Sequence, residues 1–174
     1  MLYLTAAVVV VGAVGLLNLI LSLGIIKRLR DQAQVDSAGT GLLAAGNTVS
    51  DFVARAVDGR PVSRGSLEIG AVVGFFSPTC QPCKEILPAF ADYAATAPGG
   101  RAQVFAVVVG EAAQASDLIS RLGPVATVLL ARPGEPIVTS FAASGFPALY
   151  LMGEAGLVAA SGHSMEVLPE LAML

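Results

Sequence analysis

The stretch from Ala71 to Pro88 limits the possible folds of this chain more than any other. It opens on the apolar run Ala71-Val72-Val73-Gly74-Phe75-Phe76, which reads as a β-strand. It then holds both cysteines of the chain, Cys80 and Cys83. Beyond them Ile86, Leu87, Phe90 and Tyr93 recur at helical spacing. Cys80 is therefore expected on a strand-to-helix turn, at or just before the helix N-terminus. The first turn of a helix places both sulfurs on one side, close enough for a small disulfide ring. The unpaired N–H groups and positive dipole end of the helix favour a thiolate on Cys80. Reactive thiolates at neutral pH are a known property of Cys-x-x-Cys pairs. Pro82 falls in the first turn, where its missing N–H costs nothing.

Other readings of the cysteine pair are weaker. A zinc centre needs four ligands, and the 174 residues hold one histidine and no second cysteine pair. No metal and no cofactor is implied. Two inert core thiols would not need a proline between them at a helix start. Both cysteines lie in one motif, so none is left for a structural bridge, and the count fits either side of a membrane. The net charge of −3 gives no basic footprint, so nucleic acid is not implied as a partner.

The length suits one domain plus an appendage. Leu2 to Ile26 carries no charge. At about 1.5 Å per residue this run reaches about 37 Å, enough to cross a bilayer core with tilt. Lys27, Arg28 and Arg30 stop it. A cleaved secretory signal would start with a basic region, and here the apolar run follows Met1 at once. Residues 1–30 therefore read as a single transmembrane anchor with a basic flank, touching lipid through residues 2–26. Residues 31–47, mixing Gln, Asp, Ser, Gly and Ala, read as a linker. Residues 48–174 read as one α/β domain.

Within that domain Asp58-Gly59 between apolar runs signals a hairpin turn. Val104 to Val109 is a continuous apolar run, as in a central strand covered on both faces. Ala112 to Leu122 reads as a helix, Val125 to Leu130 as a strand, and Pro136 to Ala143 as a short helix. Pro147 opens a strand running to Met152, and Gly153-Glu154-Ala155-Gly156 turns it back into Leu157 to Ala160. Met165 to Leu174 reads as a closing helix. His163, in a Gly/Ser turn, reads as a surface or helix-capping residue rather than a catalytic one.

Cys80-Gln81-Pro82-Cys83-Lys84, with Pro88 five residues after the second cysteine, resembles the active site of the thioredoxin-like superfamily. Ser77-Pro78-Thr79 before it resembles the membrane-anchored TlpA- and MauD-type branch. The resemblance spans residues 48–174. It implies a thioredoxin-like fold, with a central mixed sheet flanked by helices, an N-terminal hairpin extension and one preceding transmembrane helix. It also implies thiol–disulfide exchange on protein disulfides or thiols, served by an upstream thiol donor or acceptor. Cys80 would be the nucleophile and Cys83 the resolving thiol. Pro147 would be a cis-proline facing the cysteine turn, with the backbone of Phe146 offered to a peptide as a strand edge. Thr79, before the first cysteine, and Pro82, between the two, would shape the site.

Three positions depart from the family pattern. Thr79 replaces a common tryptophan, Gly74 stands where many members have a buried acid, and Ile86 where TlpA-like reductases often have Glu. The usual proton acceptors for Cys83 are therefore missing. Two other functions compete. A thiol peroxidase shares the fold, but its Pro-x-x-x-Thr-x-x-Cys frame is absent. A non-enzymatic copper carrier would use Cys80 and Cys83, with His163 as an optional third ligand, but copper-delivering relatives space their cysteines as Cys-x-x-x-Cys. Orientation divides the signals. The basic flank argues for a cytoplasmic domain by the positive-inside rule, and the resemblance argues for an extracytoplasmic one.

Overall fold

A computed structural model describes residues 41–169. The expected anchor over residues 2–26, the flank of Lys27, Arg28 and Arg30, and the linker up to residue 40 lie outside the described residues. Among the described residues no helix is long and apolar enough to cross a membrane.

The centre is a five-stranded sheet. Its strands are β3 (Val72–Phe76), β4 (Val104–Val109), β5 (Thr127–Ala131), β6 (Ala148–Met152) and β7 (Val158–Gly162), in the order β5-β4-β3-β6-β7. β3, β4 and β5 run parallel, and β6 and β7 are antiparallel to their neighbours, so the sheet is mixed. Among the described residues three α-helices accompany it: α1 (Gln81–Thr96), α2 (Ala112–Leu122) and α3 (Pro136–Ser140). This is the α/β architecture that the alternation of apolar runs implies. β1 (Val53–Arg55) and β2 (Pro61–Ser63) form the N-terminal hairpin around Asp58-Gly59. Its end joins the sheet through the bridge of Ala56 with Leu129.

Strand alternation sends successive side chains to opposite faces, and each face has its own core. Val72, Phe76, Val104, Ala106, Val108 and Leu149 pack with Leu87, Phe90 and Ala94 of α1 and with Ala115, Leu118 and Leu122 of α2. Val73, Phe75, Phe105, Val107, Tyr150 and Met152 face Phe141, α3 and the N-terminal segment. β3 and β4 are buried along their whole length, which explains their uninterrupted apolar sequences.

Several local expectations shift. The short helix stops at Ser140 rather than Ala143, and the last strand runs Val158–Gly162 rather than Leu157 to Ala160. Residues 41–47, the end of the expected linker, pack against this body: Leu42 and Ala44 are buried, and the Leu43 amide donates to the Phe141 carbonyl. β5 starts at Thr127 because the amides of Val125 and Ala126 are held in a turn by the Leu122 carbonyl. The closing helix does not form over the described residues. Met165–Val167 makes one 3-10 turn, and Leu168 is extended at φ −89° and ψ 139°. The cause is Pro169, since a residue before proline is pushed out of the helical region.

Tyr150 links the strand core to the chain before it. Its hydroxyl, fully buried, donates to the Phe141 carbonyl at 2.7 Å, and its ring meets Phe75 and Phe141. Burial pushes the phenol well above its ordinary value of 10.0. A group whose folded pKa is raised stabilises the fold below its unfolded pKa and loses that contribution as pH climbs through the folded value. Tyr150→Phe is expected to cost about 1 kcal/mol at neutral pH. It should also flatten the loss of stability above about pH 10. Denaturant titrations at pH 7 and pH 11 check both. An unchanged alkaline slope in the variant would clear Tyr150 of any part in it.

Candidate active site

Cys80 is the N-cap of α1, with extended φ −86° and ψ 116°. Its amide donates to the Ser77 carbonyl at 3.1 Å, closing the turn that leaves β3. Its sulfur accepts from the Cys83 N–H at 3.2 Å. That amide is one of the orphan donors of a helix start, so this bond also favours a charged sulfur once the pair is reduced. Pro82 sits in the first turn and is exposed, and no helical bond is lost there.

Cys80 and Cys83 are joined as a disulfide, with Cα atoms 5.3 Å apart. The two sulfurs differ in access. Cys80 is half-buried, whereas Cys83 is 0% exposed and packs in the apolar cluster of Phe76, Leu87 and Phe90. Among the described residues the buried polar side chains are Thr127 and Ser140, so no carboxylate is buried beneath Cys83. Gly74 explains part of this. A Cβ there would lie 2.7 Å from Phe76 Cε2 and 3.0 Å from Phe90 Cε2. Two aromatic rings, 4.9 Å apart, fill the space that a side chain at position 74 would need.

Phe146 and Pro147 come to this corner from a distant part of the chain. The Phe146 carbonyl oxygen lies 3.3 Å from Cys80 Sγ, and the Phe146-Pro147 peptide is cis. The register of β3 on β6, with Phe75 opposite Ala148, brings them here. Thr79 is exposed, and its hydroxyl pairs with that of Ser77 at 3.2 Å. A cleft of about 550 Å³ opens beside Phe146, lined also by Val138, Thr139, Ala142, Ala143 and Ser144. A more polar groove of about 380 Å³ lies on the Pro78 side, lined by Lys84, Leu87, Gln114, Asp117 and Arg121.

Two contributors escaped the sequence reading. Gly110, just after β4, backs the turn before Cys80; a Cβ there would lie 3.1 Å from Pro78 Cδ. Nothing in the local sequence signals that approach. His163 is exposed, as expected of a surface residue. Its ring Nδ1 hydrogen-bonds the Pro147 carbonyl. Among the described residues no group of three or more His, Cys, Asp or Glu side chains converges as a metal site, so Cys80, Cys83 and His163 do not gather around one.

The fold is shared with solved thiol–disulfide proteins. The thioredoxin domain of a thiol-disulfide oxidoreductase from Bacteroides vulgatus superposes with a TM-score of 0.59 at 18% identity, covering 72% of this chain and 93% of that one. A thio-disulfide isomerase from Thermus thermophilus gives 0.56 at 20%, covering 70% and 87%. A secreted Mycobacterium tuberculosis disulfide oxidoreductase, homologous to Escherichia coli DsbE, gives 0.53 at 21%, covering 70% and 89%. At these identities the likeness is one of fold, and the fold is thioredoxin-like. No curated protein sequence matches the chain. The sequence itself matches the AhpC/TSA family over residues 45–161, from before the hairpin to β7 and across the whole cysteine site. That span is well over half of the 174 residues, and the chain belongs to the AhpC/TSA family.

Proposed function

We propose that this protein is a membrane-tethered thiol–disulfide oxidoreductase acting on protein disulfides. The observation that carries the reading is the asymmetry of the pair. One sulfur sits half-buried at a helix N-cap beside the Phe146 backbone, and the other is sealed behind it.

The chemistry follows from that order of access. The Cys80 thiolate attacks one sulfur of a substrate disulfide. That bond breaks, the substrate's second sulfur leaves as a thiolate, and a mixed disulfide forms. Cys83 then gives up its proton and attacks Cys80 Sγ. The mixed disulfide breaks and the first substrate sulfur leaves. Two electrons have passed from the pair to the substrate, and the pair ends as the Cys80–Cys83 disulfide. An upstream thiol donor restores it, and the same steps in reverse oxidise a substrate dithiol. With no carboxylate buried beneath Cys83, the leaving substrate thiolate or a water takes its proton.

The uncharged run over residues 2–26 supports a membrane tether. In this reading the catalytic domain is extracytoplasmic, and its partner is a disulfide-bearing enzyme or an apo-cytochrome under maturation. Cys83→Ser in the full chain, expressed in intact cells, tests the proposal. It is expected to arrest the reaction at the first step, leaving a partner linked to Cys80 through a bond that dithiothreitol cleaves. Mass spectrometry of the released protein should find cysteines exposed outside the cytoplasm. A cytoplasmic partner would refute the orientation. No adduct, with Cys80 still reactive to an alkylating reagent, would refute the function.

A further inference from the structure

We infer that His163 is a positioning residue: it holds the Phe146-Pro147 edge at the height where an extended polypeptide meets Cys80. The inference rests on the thiol–disulfide reading above and adds to it a determinant of preference for protein over small disulfides.

The β6–β7 ladder ends at the pair Leu149 with Gly162. His163 is the next residue, where the chain bends away from the sheet. Pro147 lies beyond the last rung on the other strand. Proline cannot donate to a ladder, but its carbonyl still needs a partner. The His163 ring takes that carbonyl in place of a further rung. A carbonyl only accepts, so Nδ1 carries the proton.

The bond reaches Cys80 through one peptide unit. The proline ring locks φ of Pro147. The Pro147 carbonyl and the Phe146–Pro147 peptide plane are therefore coupled through a single free torsion. Anchoring the first restrains the second, and the second carries the Phe146 oxygen that lies 3.3 Å from Cys80 Sγ. A polypeptide laid along Phe146 would pair with these backbone groups as an added strand. A small disulfide needs only the sulfur.

Two substrates separate these roles. Detergent-solubilised full-length protein is assayed with dithiothreitol as donor, on insulin and on 2-hydroxyethyl disulfide. One hydrogen bond lost from the edge predicts that His163→Ala lowers kcat/KM on insulin about tenfold, chiefly through KM. Turnover of the small disulfide should stay within about twofold, since the sulfur chemistry is intact. Asn presents an N–H donor near the place of Nδ1 and Gln presents one near Nε2. His163→Asn should therefore recover insulin activity and His163→Gln should not. This last pair keeps the test open should the alanine variant fold poorly. Equal losses on both substrates, no loss on either, or equal behaviour of Asn and Gln would each overturn the role of His163. Wild-type protein inactive on insulin would instead remove the thiol–disulfide reading beneath it.

Discussion

Cys80→Ser is expected to bring insulin reduction by the full-length protein to the uncatalysed rate, a fall of about a thousandfold or more. The N-cap bond from the Cys83 amide and the positive end of α1 act on a charge. Sulfur supplies that charge near neutral pH, and a serine hydroxyl does not. Serine also cannot form the mixed disulfide that the proposed exchange requires. Cys83 cannot take over, because it is wholly buried in the apolar cluster that includes Phe76, Leu87 and Phe90. The variant should keep its stability under reducing conditions, since Cys80 is half-buried and the change is nearly isosteric. Retained insulin turnover would remove Cys80 as nucleophile. Peroxide consumption by the wild type without disulfide reduction would favour a thiol peroxidase instead.

Gly74→Asp is expected to destabilise the domain by about 3 kcal/mol or more, enough to leave little folded protein in a marginal fold. Position 74 lies mid-strand in β3, hydrogen-bonded between β4 and β6, so the backbone has no room to yield. Its Cβ would press on the Phe76 ring at 2.7 Å and 2.9 Å, and on Phe90 at 3.0 Å. The carboxylate would enter an apolar cluster that supplies it no partner. Gly74→Ala separates the two costs, since it adds the clash without the charge, and about 1–3 kcal/mol is expected. Urea denaturation measures both. Unchanged midpoints in both variants would mean that the rings move aside freely. The same crowding fits a departure from the family pattern: with the Phe76 and Phe90 rings where they stand, position 74 has no free space for a side chain.

Much of the fold was legible from apolar periodicity. The strand Val104–Val109 and the helix Ala112–Leu122 have the bounds that their residues suggest, and the hairpin turns at Asp58-Gly59. Strong patterns succeed because burial on two faces, or on one helical face, leaves a local trace. The misreadings lie where that trace is faint. Leu42 and Ala44 sit in a stretch of loop-like composition, yet they are buried. Met165 to Leu168 has helix-forming residues, and Pro169 overrides them. His163 is exposed, as its Gly/Ser surroundings suggest, but its hydrogen bond to the Pro147 carbonyl, across a strand pair, leaves no local trace.

By itself the amino-acid order determined the corner: a buried strand, a turn, and a helix that begins on Cys80 with Cys83 one turn along. These are short-range matters of residue type and spacing. What stands around that corner leaves no short-range pattern: resemblance alone points to Phe146 and Pro147, and the tertiary structure decides the rest. Phe146 lies 66 residues from Cys80 and reaches it because β6 pairs with β3 in one register. The rings that exclude an acid, the glycine behind Pro78 and the histidine on Pro147 follow from the same pairing and packing. The physical reason is that an apolar pattern states which face of a strand is buried, while the choice of neighbouring strand is settled by the whole packed sheet.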